Sequence, residues 1–537
     1  MSETIQADYC VVGLGPAGAV LASKLAASGK KVVILEQGPR ITEDDRAELF
    51  IRSQENLNDF ASYNDNVREG VITPLSSART AGQVVEWSAQ RLFAVGGTAL
   101  HFEGFMVRPM AEDLSVKTLY GYGRDWPLTY NELEPWLLRA EHEIGVAGNE
   151  DNPYTPPRSG RFPMPAHAFS YFDREIFGPA LKRLGFAGHS CPRAVNSVAY
   201  RGRSACLVCR ACKFCPTGAR YSPDRVHVPI IDQYPNATIL EEVSLRRLEV
   251  SANSEKIVAA HAMRVQEQSP LVVKARDFIL ALGGVETPRM LLLSADKGQH
   301  KDGLGNIGGQ LGQGFNDHPI PWVVYDVGRP VGSRLGFETM SCDYFRAHQQ
   351  RGNQPSLLMV GSPAVDYAPV GYAAAAWATE EGVLSLERLR DSIPRIAAIY
   401  AYTETEGKGK LELDHRKLDA FGSPVAKVTM KLTDWDRKGP AKLAELAPEI
   451  GEAMGATNYL VGDTWQSEMG YHPSGATAMA ERPADGVCDP NLKVFGLDNL
   501  YLVSNSVFPH MGASMPTLTI VALALRLAAH LEGKLSA

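Results

Sequence analysis

The chain has 537 residues, 45% of them hydrophobic and 21% charged, a composition typical of a globular protein with roughly two to four domains. Lys and Arg total 54 against 61 Asp and Glu, a formal net charge of −7, so no general attraction to nucleic acid or to an anionic membrane is expected. The most apolar run near the C-terminus, residues 518–527, is too short to cross a bilayer and contains Arg526, so it predicts a buried helix and no membrane span.

A dinucleotide-binding pattern opens the chain. Residues 9–12 predict a buried strand, and a helical pattern follows and continues to Ala27. Between them lie three glycines with the spacing of a phosphate-binding turn: Gly13, Gly15 and Gly18. The first two allow the tight turn and the close approach of a pyrophosphate to the backbone, and the third lets the helix pack on the strand. A second strand, 31–35, leads to Glu36, placed where a carboxylate accepts ribose hydroxyls.

Half of the chain's 8 cysteines lie in one short segment at a regular spacing: Cys206, Cys209, Cys212 and Cys215. A continuous run of this kind, closed by Pro216, is typical of the ligands of an iron–sulfur cluster and implies electron transfer. A structural zinc site usually pairs two Cys-x-x-Cys units across a longer loop, and disulfides are a further alternative. The spacing favours the cluster and leaves zinc and disulfides open.

Two segments in the second half of the chain read as β-strands. Residues 397–402 and 424–430 are rich in β-branched and aromatic side chains in alternation. Residues 407–410 and 419–422 supply turn chemistry between them. We expect these strands to form one antiparallel ribbon, with helices on one face.

Five further motifs occur in one order along nearly the whole chain: 96–101 (GGTALH), 283–294 (GGVETPRMLLLS), 316–319 (NDHP), 470–475 (GYHPSG) and 516–520 (PTLTI). Together they resemble the glucose–methanol–choline (GMC) oxidoreductases, so the resemblance implies FAD as the dinucleotide. Residues 123–127 (GRDWP) and the cysteine run followed by 216–219 (PTGA) also recur in the catalytic subunits of bacterial FAD-dependent sugar dehydrogenases of the glucose and gluconate type. The chain is most similar to that branch.

The resemblance implies an α/β, Rossmann-like FAD-binding domain joined to an α+β substrate domain with an antiparallel sheet. It also implies how the chain is divided between them. The expected regions are a discontinuous FAD-binding domain (1–45, 225–320 and 465–537), a cap and flavin-attachment region (46–200), an iron–sulfur segment (201–224) and a substrate-binding domain (321–464).

Oxidation of an alcohol by hydride transfer to flavin needs a neutral base beside the hydroxyl. His472 matches the family's catalytic histidine. Relatives carry Asn or His immediately before the Pro-Thr-Leu-Thr motif, but this chain carries Met515, whose thioether neither donates a hydrogen bond nor usefully accepts a proton. Either His472 works alone, or His510 or Asn505 reaches the hydroxyl from the preceding loop.

The resemblance implies further contacts to the cofactor. Backbone atoms of the paired-glycine segment, Gly96, Gly97 and Thr98, are expected to approach the flavin. Val243, Pro516 and Thr517 are also expected to bind the cofactor. Pro516 and Thr517 are expected at the pyrimidine end. His101 occupies the position at which some relatives attach the flavin covalently, and packing beside the isoalloxazine is the alternative.

In relatives of this kind the cluster passes electrons from flavin toward a haem partner. The resemblance therefore implies a 3Fe-4S cluster, in preference to 4Fe-4S, held by three of the four cysteines. It also implies a sugar or polyol substrate, a small subunit, and a cytochrome or other electron acceptor. Two other functions stay open: a flavin oxidase that uses oxygen, and a non-catalytic flavoprotein subunit.

The first eight residues contain no basic cluster ahead of an apolar stretch, so no signal peptide is predicted. A cytoplasmic location is one expectation. Relatives without a signal are also exported folded with a signal-bearing partner subunit, so a periplasmic location is the other.

Overall fold

The structure is a computed structural model that describes residues 3–55, 76–77, 91–209, 212, 215–332, 337–347, 351–363, 368–380, 382–462 and 472–534. Its strands are β1 (Glu3–Val12), β2 (Val32–Leu35), β3 (Ser76–Ser77), β4 (His189–Ser190), β5 (Ala237–Leu240), β6 (Val243–Val250), β7 (Ile257–Arg264), β8 (Ser269–Leu280), β9 (Gln313–Phe315), β10 (Trp322–Asp326), β11 (Met340–Cys342), β12 (Leu357–Ser362), β13 (Thr379–Glu380), β14 (Val383–Leu384), β15 (Ile396–Thr403), β16 (Gly409–Leu418), β17 (Pro424–Thr429), β18 (Asn458–Val461) and β19 (Leu500–Leu502).

The α-helices of the described residues are α1 (Pro16–Ala27), α2 (Glu43–Glu55), α3 (Val116–Tyr120), α4 (Tyr130–Ile144), α5 (Gly178–Arg183), α6 (Pro223–Val226), α7 (Val228–Ile231), α8 (Gly283–Leu293), α9 (Tyr344–Ala347), α10 (Ala368–Ala378), α11 (Leu386–Ser392), α12 (Asp434–Met454) and α13 (Thr517–Leu531). A 3₁₀ turn spans Gly97–Leu100. The motif residues Gly470 and Tyr471 lie outside the described residues.

The first sheet forms the dinucleotide-binding half of the fold. Its strand order is β5-β2-β1-β8-β7-β6, and β19 pairs with the last residues of β8. Strands β5, β2, β1, β8 and β19 are parallel, and β6, β7 and β8 are antiparallel. Ligands bind at the carboxyl ends of such parallel strands. The expected strand, turn, helix and strand at the start of the chain are confirmed as β1, α1 and β2.

The second sheet is antiparallel and has the order β18-β10-β15-β12-β11-β4. Strand β15 lies in its interior and every residue of it is buried. Helix α12 packs on one face; it begins after Thr433, whose hydroxyl caps the helix by accepting the backbone N–H of Asp436. The fold class inferred from the motifs, a Rossmann-like domain with an antiparallel-sheet domain, is confirmed. The residue ranges of the domains stay predictions.

The expectation of a single antiparallel ribbon is wrong. The turn at 419–422 does join β16 to β17 as an antiparallel pair, but β15 belongs to the second sheet, and β16 and β17 lie in a third sheet of order β3-β17-β16-β9. The reason is that both edges of β15 are already paired, with β10 and with β12. Residues 404–408 therefore carry the chain from one sheet to another, and residues 409–410 already belong to β16.

Helix α13 confirms that the apolar run near the C-terminus is a buried helix. It packs against α1 and α4, and most of its apolar side chains are inaccessible to solvent. No helix among the described residues is long and apolar enough to cross a membrane. Because α13 begins at Thr517, its first turn and the loop before it lie beside the active-site residues described next.

Candidate active site

The glycine turn leaves open space where a pyrophosphate would approach. Gly13 has φ +96° and follows β1 directly, and a Cβ on it would stand 2.6 Å from the carbonyl oxygen of Ala281. A Cβ on Gly18 would collide with the carbonyl oxygen of Gly13, so helix and turn pack too closely for a side chain. By contrast, a Cβ on Gly15 would meet nothing within 4 Å. The turn therefore fits a dinucleotide at Gly15, beside the N-terminus of α1.

Glu36 stands at the end of β2 next to this turn. Its carboxylate accepts the backbone N–H of Leu14 at 2.8 Å and that of Gly38 at 3.0 Å. Burial raises the pKa of Glu36 to about 7. The backbone N–H of Val243 donates to the carbonyl oxygen of Glu36 at 2.9 Å, which places two expected cofactor-binding residues side by side.

The paired-glycine segment lies against the same turn. A Cβ on Gly97 would stand 3.0 Å from the Cα of Gly15, and Gly96 has φ +112°. Thr98 is exposed, and its hydroxyl accepts the backbone N–H of Leu92 at 3.3 Å. His101 ends the 3₁₀ turn, with its backbone N–H donating to Thr98. Two regions far apart in sequence thus share one wall of the cofactor space.

His472 is held against a second histidine. The segments around Asn316 and Ser474 pair as a short antiparallel bridge, with backbone hydrogen bonds of 2.9 and 2.8 Å. Across this bridge, Nδ1 of His318 lies 3.0 Å from Nδ1 of His472, and the two rings meet edge to face. The Tyr402 ring lies 5.7 Å from that of His472.

Both histidines are neutral at ordinary pH. Burial holds the pKa of His472 well below its usual range, and the neighbouring His318 ring lowers it further. Burial also lowers the pKa of His318, to about 4. A neutral imidazole is the state that a general base requires. The catalytic role of His472 stays a prediction, and the geometry fits it.

The other candidate catalytic residues, Met515, Asn505 and His510, each contact other parts of the protein. Met515 is buried in an apolar cluster with Phe105 and Tyr402. The side-chain amide of Asn505 donates to the carbonyl oxygen of Pro473 and so braces the loop that carries His472. Nε2 of His510 lies 3.2 Å from a carboxylate oxygen of Glu404. Pro516 is buried and precedes α13, whose first residue is Thr517.

Two features of this site are not predicted by the sequence. His318 lies within the NDHP motif, which contributes to the family resemblance but gives the histidine no role of its own. The buried carboxylate of Glu404 had no signal in the sequence, yet it accepts hydrogen bonds from the Tyr122 hydroxyl at 2.6 Å and the Ser356 backbone N–H at 2.9 Å, and it pairs with Arg351 at 3.3 Å. Burial opposes ionisation, but the charge of Arg351 and the hydrogen bonds from His510 and the Ser356 side chain hold the pKa of Glu404 well below its usual range.

The four cysteines of the run lie close enough to influence one another. Burial raises the pKa of Cys206, and the neighbouring thiols of Cys215 and Cys209 raise it further. Burial also raises the pKa of Cys212, and the thiol of Cys206 adds a smaller increase. The backbone N–H of Val208 donates to Sγ of Cys206 at 3.3 Å. Each of the eight cysteines is described, and none forms a disulfide in this structure.

Sγ of Cys215 accepts the backbone N–H of Arg220 at 3.4 Å. Burial raises the pKa of Cys215, but this hydrogen bond and the charge of Arg220 outweigh burial and hold that pKa below its usual value. N–H donors to sulfur are a feature of thiolates that hold iron–sulfur clusters. Within the described ranges no three His, Cys, Asp or Glu side chains are already arranged as a metal-binding group. The cluster and its ligands therefore stay predictions.

Two family models described as GMC oxidoreductase match the chain, over residues 82–320 and 405–524. The fructose dehydrogenase large subunit of Gluconobacter japonicus is 30% identical over 98% of each chain. The gluconate 2-dehydrogenase flavoprotein of Pantoea cypripedii is 24% identical over 97% of this chain and 93% of its own. A solved structure of pyridoxine 4-oxidase from Mesorbium loti shares the fold, with a TM-score of 0.68 at 18% identity over 98% of this chain and 100% of its own.

A dinucleotide turn on a parallel sheet, joined to an antiparallel sheet beside a half-buried neutral histidine, defines a flavin-dependent oxidoreductase that acts on CH–OH groups. The relatives and the family models agree with that class. The chain belongs to the GMC oxidoreductase family, and its cofactor is FAD.

Proposed function

We propose that this protein is a dehydrogenase that oxidises a hydroxyl group of a sugar, glycoside or polyol, and that its electrons leave through an iron–sulfur cluster to a cytochrome or another acceptor. The observation that carries the chemistry is the neutral His472, held in place by His318 at 3.0 Å. The observation that carries the electron exit is the cysteine run, linked to the flavin side of the fold by Arg220.

His472 acts as the base in this proposal. The substrate hydroxyl gives its proton to the imidazole while the hydrogen on the same carbon leaves with its electron pair, so the alcohol becomes a carbonyl. Bound FAD supplies the hydride acceptor. The lowered pKa of His472 keeps the ring ready to accept that proton at neutral pH. Met515 contributes an apolar wall and no proton transfer.

The substrate class follows from the relatives. Fructose and gluconate appear in the names of two proteins that match nearly the whole chain. The Gluconobacter relative is named a large subunit, which supports a companion subunit for this chain as well. These two names support a polyhydroxylated substrate and a dehydrogenase.

Arg220 supports the proposed electron exit. Its backbone N–H donates to Sγ of Cys215, while its guanidinium group donates to the carbonyl oxygens of Ala99 and Leu100 at 2.7 Å each. Those two carbonyls belong to the 3₁₀ turn that directly precedes His101. One residue thus connects the cysteine segment with the segment expected to face the flavin, which suits a short path for single electrons.

An anaerobic titration of the purified protein with a panel of sugars and polyols tests the proposal. Flavin and cluster absorbance are followed together, and His472→Ala serves as the matched control. We expect at least one substrate to bleach the flavin, with reduction of the cluster following. Bleaching without a cluster signal, together with peroxide formation in air, would point to an oxidase. Flavin that no substrate bleaches would point to a non-catalytic subunit.

A further inference from the structure

A line of hydrogen bonds leads from a backbone carbonyl to the proposed base. Nε2 of His318 lies 2.6 Å from the carbonyl oxygen of Gly512, and Nδ1 of the same ring lies 3.0 Å from Nδ1 of His472. His318 is 1% exposed, so water does not compete for either nitrogen. Both of its ring nitrogens are therefore engaged, and His318 has none left for a substrate.

The carbonyl group of Gly512 determines which ring nitrogen of each histidine carries a proton. A carbonyl oxygen only accepts, so Nε2 of His318 carries the proton that it donates to Gly512. A neutral imidazole has a single N–H, which leaves Nδ1 of His318 as an acceptor. Nδ1 of His472 must then be the donor, and the lone pair of His472 stands on Nε2.

We propose that His318 is a positioning residue that sets the tautomer of His472, so that Nε2 of His472 bears the lone pair that takes the substrate proton. The proposal rests on the proposed function of His472 as the base. A histidine free to exchange tautomers would present an N–H to the substrate hydroxyl in part of the molecules, and those molecules could not accept its proton.

The backbone of both histidines is anchored to one carboxylate. Oδ1 of Asp317 accepts the backbone N–H of His318 at 2.8 Å and that of His472 at 3.0 Å. Asp317 is fully buried, so this anchor is shielded from water. The two backbone segments therefore cannot move apart without losing at least one of these hydrogen bonds.

The carbonyl at the start of the line is also held in place. The indole N–H of Trp126 donates to the carbonyl oxygen of His510 at 2.9 Å, and the His510 ring is paired with Glu404. A Cβ on Gly512 would collide with the carboxyl group of Asp113, so no side chain fits at this position. The loop that ends in Met515 thus acts through its backbone, and the line of hydrogen bonds makes no use of the Met515 side chain.

Two variants at His318 separate the tautomer effect from packing. His318→Phe keeps a ring but removes the acceptor, and His318→Asn supplies a carbonyl oxygen that can accept from Nδ1 of His472. We expect His318→Phe to lower the rate constant of flavin reduction about 10–10²-fold with little change in substrate affinity, a loss typical of residues that orient another ligand or base. His318→Asn should recover most of the rate.

The matched control is His300→Phe. His300 is also 1% exposed, its Nε2 lies 3.1 Å from the carbonyl oxygen of Ser254, and its Nδ1 accepts the backbone N–H of Gly305 at 3.3 Å. Its loss should cost stability to a similar degree without slowing flavin reduction in the folded holoenzyme. An equal loss of rate in both Phe variants would reduce the role of His318 to packing.

The direct measurement is the ¹⁵N spectrum of histidine-labelled holoenzyme, with the signals of His472 identified by their absence from His472→Ala. We expect Nδ1 to be protonated and Nε2 to be unprotonated in the unmodified protein, and a mixture in His318→Phe. A protonated Nε2 in the unmodified protein overturns the proposal, even if His318→Phe fails to fold. If no sugar or polyol reduces the flavin, the proposed function fails, and this spectrum still decides the tautomer.

Discussion

Gly97 lies directly against Gly15, so close that a Cβ on Gly97 would stand 3.0 Å from the Cα of Gly15. The contact joins the paired-glycine segment to the dinucleotide turn, although the two are far apart along the chain. Because neither residue has a side chain, both backbones border the space that the FAD pyrophosphate and flavin require. The glycines of this region therefore meet two different requirements: FAD binding needs open space beside the backbone, and folding needs close contact between backbone segments.

Gly15→Val should abolish FAD binding while leaving the fold intact. Gly15 has φ −66° and ψ −174°, which other residues adopt readily, and an added Cβ meets no protein atom within 4 Å. The side chain would instead occupy the path of the pyrophosphate. The ratio of flavin to protein absorbance and the thermal unfolding of the apoprotein measure the two effects. Gly18→Ala is the contrast: its Cβ would collide with Gly13, so it should impair folding itself. A fully flavinylated Gly15→Val protein would contradict the assignment.

His472→Ala should lower the rate constant of flavin reduction by about 10²–10⁴-fold and leave FAD bound, because the substrate proton loses its acceptor. Stopped-flow reduction under anaerobic conditions measures the rate, and the flavin spectrum reports binding. Reduction at a nearly normal rate would remove His472 from the mechanism and would turn attention to His510 or Asn505.

Flavin reduction should stay fast in mildly acidic solution. Protonation of His472 removes the lone pair, so the rate falls as the pH falls through its pKa, and burial holds that pKa well below the usual value of 6.5. The rate constant at saturating substrate should therefore change little from pH 8 down to 6.5 and decline only at lower pH. An acidic limb centred at or above 6.5 would show that the base is not the neutral histidine described here.

Cys212→Ser or Cys215→Ser should separate the two half-reactions. A thiolate-held cluster offers an exit for single electrons from a flavin reduced by two, so its loss leaves substrate-driven flavin reduction largely unchanged and slows electron transfer to the acceptor. Cys488→Ser is a suitable control because Cys488 lies in the core, where its Sγ contacts the carbonyl oxygen of Thr477 at 3.7 Å. If a folded, FAD-loaded Cys215→Ser protein passed electrons at the original rate, or if metal analysis found zinc instead of iron, the transfer hypothesis would fail.

Glu404→Ala should destabilise the protein strongly. The change leaves the buried guanidinium group of Arg351 with one carboxylate partner fewer, and it removes the acceptor of the Tyr122 hydroxyl. Breaking a buried ion pair lowers the free energy of unfolding by about 3–5 kcal/mol. Glu412→Ala is the matched control, since both side chains of its pair with Lys410 are more than 40% exposed and the pair should contribute less than about 1 kcal/mol. Urea unfolding of the two variants compares the free energies; equal losses would refute a structural role for the buried carboxylate.

Some features of this protein could be predicted from consecutive residues alone. The glycine turn, Glu36, the cysteine run and the motif around His472 are local patterns, because a turn or a metal-ligand spacing depends on neighbours within a few positions. The same holds for α13, whose apolar run already indicated a buried helix. From these patterns the family, FAD and the class of reaction could be inferred before the fold was known.

The tertiary structure alone decided which distant residues meet. His318 and His472 are 154 positions apart, and Glu404 and His510 are 106 positions apart, so neither contact has a signature in the chain. The assignment of β15 and β16 to different sheets likewise depended on which strand edges were already paired. The proposed base, His472, belongs to a local motif, but its proposed tautomer depends on the carbonyl group of Gly512. Only the tertiary structure brings that carbonyl group within hydrogen-bond distance of His318, because a hydrogen bond requires placement to within a few tenths of an ångström.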